Sequence, residues 1–100
     1  MEKYKRMSGG YFNYNQDHIQ SIAEDIETLI FDNDSEELTN WGDKKGHGYS
    51  PETIEEFKIG VEYLRKAAVY AQRIDWLVSG DDGEDTFHNR LQKDLKKIEE

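Results

Sequence analysis

The chain has no cysteine and a single proline, Pro51, in 100 residues. Without thiols, disulfides and thiolate metal sites are excluded, and a reducing compartment suits the chain. No apolar run approaches membrane-spanning length, and no secretory pattern opens the sequence. A cytoplasmic protein with no membrane partner is expected. There is no phosphate loop, no Gly-x-Ser-x-Gly and no cysteine nucleophile, so catalysis and a bound cofactor are not expected. Basic residues are missing from one long stretch. Asp17 to Asp43 holds nine carboxylates and no Lys or Arg.

The net charge is −9, and residues 11–50 carry most of it, with nine acids against Lys44 and Lys45. Such a surface repels nucleic acid and attracts basic protein surfaces. The plainer reading is solubility. Two Trp, six Tyr and four Phe argue against disorder despite the high charge. The length fits one domain.

Residues 1–10, "MEKYKRMSGG", show no periodicity and read as a flexible N-terminal arm. Residues 11–100 read as a single helical domain. The "YFNYN" that opens it has three aromatics in four positions and calls for burial. Ile19, Ile22, Ala23, Ile26, Leu29 and Ile30 follow helical spacing and predict a first helix over about 15–30. Ser50, Pro51 and Glu52 form a strong start signal for a second helix, and Ser79-Gly80 a stop. That helix has two apolar stripes. One contains Phe57, Leu64, Ala71 and Val78; the other contains Ile59, Tyr63, Tyr70, Ile74 and Leu77. Tyr63, Tyr70, Ile74 and Leu77 are therefore candidates for self-association. Gly60, inside the helix, predicts a close helix approach. Phe87, Leu91, Leu95 and Ile98 predict a third helix over about 83–97. The expected fold is all-α: a small bundle of three main helices, with a long polar loop between the first two.

That loop, residues 32–49, suggests a short helix in "SEELTNW", capped by Ser35 with Leu38 and Trp41 turned inward. Its second half, "WGDKKGHGY", combines Trp41, Lys44, Lys45, His47 and Tyr49 with glycines. These residues suit a nucleotide or phosphate, although a plain flexible loop is the commoner meaning. "DNDSEELTNWGD" offers Asp32 and Asp34 to calcium but has Glu37 where an EF-hand loop needs Gly. His18, His47 and His88 lack paired spacing, so no metal is expected. Asp81, Asp82, Glu84 and Asp85 cluster where the third helix begins, where capping accounts for one or two of them. Asp75 lies on or beside an apolar stripe. It reads either as a partly exposed acid paired with a nearby Arg or Lys, or as a buried carboxylate organising Tyr or Trp donors. Trp76 lies off both stripes and suggests a third contact, made with the long loop, the aromatic arm or a partner.

At "SGGYFNY" (8–14), together with "RIDWLVSGDDGEDTF" (73–87), the chain resembles small acidic accessory proteins of phages, prophages and other mobile elements. The resemblance implies a short helical domain that inhibits host defence by stoichiometric binding, of the anti-CRISPR or another anti-defence kind. It carries no catalytic residues over. The expected partner is a host protein with a basic, nucleic-acid-binding surface. The residues expected to meet it are Glu24, Asp25, Asp32, Asp34, Glu36, Glu37, Asp81, Asp82, Glu84 and Asp85. The alternatives are an oligomeric sponge for a nucleotide signal, using Trp41, Lys44, Lys45, His47 and Tyr49, and a structural or regulatory homodimer.

Overall fold

A computed structural model describes residues 10–99. The expected arm, Gly10 apart, lies outside the described residues. Three helices form: α1 (Gln16–Phe31), α2 (Pro51–Val78) and α3 (Glu84–Glu99). The fold is all-α, as the periodicity predicts, and each helix end falls within two residues of its expected place.

The punctuation of α2 works as read. The Ser50 hydroxyl accepts the Thr53 N–H at 3.3 Å, and Pro51 occupies the first turn, where its missing N–H costs nothing. Gly80, at φ +89°, ends the helix in the left-handed region that favours glycine. No described helix is long and apolar enough to cross a membrane.

α1 runs antiparallel to α2. Gln16 meets Asp75 near the end of α2, Glu27 meets Arg65 midway, and Ile30 lies by Val61 and Lys58 near its start. α3 turns back along the other flank, where Asp94 meets Arg73 and Glu99 meets Lys66. α1 and α3 each pack on α2 and not on each other.

The bundle is therefore thin, with extents of 49 × 32 × 15 Å. Its shortest dimension is little more than one helix diameter of about 10–12 Å. The radius of gyration is 17.8 Å, against about 13 Å for a compact domain of this length. Among the described residues the buried apolar side chains are Ala23, Val61 and Leu91, and no large side chain is fully buried.

Three local expectations are corrected. The short helix in the loop does not form. Leu38 and Lys44 instead make an antiparallel bridge around a turn, with Thr39 N–H bonding Asp43 O at 2.7 Å and Lys45 N–H bonding Glu37 O at 2.8 Å. Gly42, at φ +88°, supplies the reversal, and Trp41 at its tip is 88% exposed rather than turned inward. A β-carbon at Gly60 would meet nothing within 4 Å, so no helix of this chain approaches there. In "YFNYN", Tyr11 and Tyr14 are exposed and only Phe12 is half-buried.

Candidate interaction surfaces

Two buried polar centres hold the helices in register, and they decide which carboxylates face outward. The first is Asp75, 2% exposed. Its carboxylate accepts the Tyr11 N–H at 2.9 Å, the Gln16 side-chain amide at 2.8 Å and the Ser79 hydroxyl at 3.1 Å. Burial pushes the Asp75 carboxyl up. Bonds from the Tyr11 backbone, Gln16, Ser79 and the Phe12 backbone outweigh burial and hold it below its ordinary value of 3.8. Of the two readings, the buried carboxylate holds. Its donors among the described residues are backbone, amide and hydroxyl groups, with no Tyr or Trp side chain among them.

This centre gives the "SGGYFNY" stretch a physical meaning. A β-carbon on Gly10 would stand 2.8 Å from both Asp75 oxygens, and Gly10 is at φ +72°. Only glycine lets the chain pass there. Asn13 and Tyr14, at φ 56° and 63°, then turn it into α1. Left-handed geometry is costly for Tyr, so tertiary bonds must hold it.

The second centre is Arg73. Its guanidinium reaches Asp94 at 2.8 Å and Asp82 at 3.8 Å, and lies 4.7 Å from the centre of the Trp76 ring. Arg73 is a neighbour one turn back on the same helix, and Trp76 stays 37% exposed. Asp82 also accepts Arg90 at 3.1 Å, and its side chain is 3% exposed. Asp82 is thus no member of an outward acidic face, because two arginines hold it inside. Asp81, Glu84 and Asp85 remain exposed around it.

The loop between α1 and α2 is closed by Asn33. Its side chain donates to Tyr49 O at 3.1 Å and accepts the Tyr49 N–H at 2.9 Å, while its carbonyl accepts the Gly48 N–H at 2.9 Å. Gly46 is needed where a β-carbon would come within 2.5 Å of two carbonyl oxygens. Sequence reasoning missed Asn33. Its signal was an Asn just beyond the helix end, next to a glycine-rich return.

Within that loop Lys44 pairs with Glu36 at 3.1 Å and Lys45 with Glu37 at 3.2 Å. A recess of about 230 Å³ brings Lys44 and His47 together, but Asp34 and Glu36 line it too. An incoming phosphate would compete with carboxylates already in place. Trp41 does not line this recess; Tyr49, stacked on His47 and edge-on to Phe57, lines a neighbouring one.

The expected acids therefore separate into two groups. Glu36, Glu37 and Asp82 are paired within the chain, and Asp32 is half-buried at the end of α1. Glu24, Asp25, Asp34, Asp81, Glu84 and Asp85 are exposed and make no described ion pair, as does Asp17. Glu24 and Asp25 lie away from the α2-facing side of α1, which carries Gln16, Ala23, Glu27 and Ile30, whereas Asp17 lines a recess with Gln72, Arg73 and Trp76 of α2 and Asp94 of α3. No group of three or more His, Cys, Asp or Glu among the described residues is arranged to hold a metal ion.

Of the self-association candidates, Tyr63, Tyr70 and Ile74 are exposed and Leu77 is half-buried. Comparison with family models, curated proteins and solved structures gives no match.

Proposed function

We propose that this chain is a non-catalytic interaction protein that engages a basic surface of another protein along the outer edge of α1. The observation that carries the reading is that Glu24 and Asp25 are exposed on α1 and pair with no cation among the described residues. Carboxylates spaced along a rigid helix can occupy a groove built for phosphates. In the mobile-element setting that the sequence resemblance implies, the partner is a nucleic-acid-binding component of bacterial defence, inhibited by occupation. The nucleotide-sponge alternative is less favoured, because Lys44 and Lys45 already hold carboxylate partners.

The test combines Glu24→Lys, Asp25→Lys and Asp34→Lys in one variant. Proteins retained from bacterial lysate by the wild-type chain are compared with those retained by the variant across a salt series. Loss of a basic partner in the variant, and its release from wild type as salt rises, is the expected result. Exposed charges act collectively, since each pair contributes at most about 1 kcal/mol. Equal retention by both proteins, insensitive to salt, would rule the reading out.

A further inference from the structure

We infer that one broad side of the three-helix layer is covered by a second copy of this chain, giving a face-to-face dimer. Tyr63, Ala67, Ile74 and Val78 recur at spacings of four, seven and four residues, which places them within about 60° of one another on α2, with Val78 at the border shared with the Phe57–Leu64–Ala71 stripe. All four are exposed, Tyr63 to 69% and Val78 to 50%. On α1, Ile22 and Leu29 are one heptad apart and exposed as well. They lie off the side that meets α2. With α1 antiparallel to α2, the right-handed sense of both helices turns these two residues and the α2 stripe to the same side of the layer.

Three observations choose the occupant. The first is area. The chain exposes 7435 Å², whereas a compact monomer of 11.8 kDa exposes about 5900 Å². The excess of about 1500 Å² per chain is more than the roughly 800 Å² that each partner gives to a standard protein–protein interface. The second is charge. A chain of net charge −9 can meet its own copy only where carboxylates are absent. From Gly60 to Val78 that side of α2 carries none, with exposed Glu56 one turn beyond Gly60 on the same line, and Asp25 lies at the border of the Ile22–Leu29 side. A basic partner would be drawn instead to the acids on the outer edge of α1. The third is the interior. A layer with no fully buried large side chain needs its cover in order to fold stably, and an identical copy is present whenever the chain is made. Gly60, with open space where its β-carbon would stand, lies on the same side and leaves room for the close approach that no helix of this chain makes.

The test is the mass of the full chain by light scattering and sedimentation equilibrium over a range of micromolar concentrations. Twice 11.8 kDa is expected for wild type. Tyr63→Arg and Ile74→Glu should each shift the mass toward the monomer while helical circular dichroism persists at high protein concentration. If a variant unfolds, the wild-type mass still decides the matter. The Glu24→Lys/Asp25→Lys/Asp34→Lys variant should remain dimeric, which keeps this inference separate from the proposed partner binding. A wild-type monomer at every concentration overturns the dimer, and so does a wild-type dimer that survives both Tyr63→Arg and Ile74→Glu unchanged.

Discussion

The carboxylate of Asp75 lies 2.9 Å from the backbone N–H of Tyr11, across 64 positions of sequence. That bond ties the turn before α1 to the last turns of α2. It places a charged group in the interior, paired with no cation among the described residues and met by converging N–H and O–H donors.

Removing the carboxylate should be costly. Asp75→Ala leaves the Tyr11 N–H without its acceptor and takes one of two acceptors from the Gln16 amide, which keeps Gln72 Oε1 at 3.0 Å. A loss of about 3 kcal/mol is expected, because each unpaired buried group costs about 1–3 kcal/mol. Asp75→Asn should cost less, since one oxygen remains. Urea unfolding followed by circular dichroism measures both. A loss below that of an ordinary surface substitution would show that the centre contributes little.

Acid should act through the same group. The folded-state pKa of Asp75 is lowered, so its contribution is fully present above the ordinary value of 3.8 and lost as pH falls through the folded value. Stability curves of wild type and Asp75→Asn should therefore converge below that ordinary value and stay parallel from mildly acidic to neutral pH. A constant gap down to strong acid would contradict this.

Gly10 and Asp75 should be coupled. Gly10→Ala puts a β-carbon against both carboxylate oxygens at positive φ, and should cost about 2 kcal/mol in the wild-type background. In an Asp75→Ala background only the backbone strain remains, so the cost should shrink. A double-mutant cycle reads the difference directly. Simple additivity would mean that the close approach is not what demands glycine.

The acidic turn should divide sharply. Asp82→Ala removes a buried partner of Arg73 and Arg90, and should cost about 2 kcal/mol. Asp81→Ala, at an exposed neighbour, should stay within about 0.5 kcal/mol. Millimolar calcium should leave the melting temperature unchanged; a rise of several degrees would point to a metal loop.

Trp41→Ala should leave the urea midpoint unchanged, within about 0.5 kcal/mol, because the side chain stands in solvent at the loop tip. A large loss would show that the ring is covered in solution.

Local rules were legible in the sequence. Ser50-Pro51 opens α2 because a hydroxyl acceptor and a missing N–H suit a helix start wherever they occur. Gly80 closes it because left-handed backbone favours glycine. Apolar spacing set the three helices, and charge spacing set the acidic stretch. None of this depends on distant residues.

The tertiary structure decided what each polar group meets. Asp75 and Asp82 look alike as acids near an apolar helix, yet one gathers N–H donors from the turn before α1 and the other two arginines. The loop closed on Asn33 because Tyr49 returned to it, not because of any signal within "SEELTNW". The two stripes of α2 left open whether both are covered within the chain or one is kept for a partner, and the packing leaves Tyr63, Tyr70 and Ile74 exposed. Helical period needs only near neighbours along the chain. Burial and pairing depend on which segments arrive from far away, and that is settled by the free energy of the whole fold.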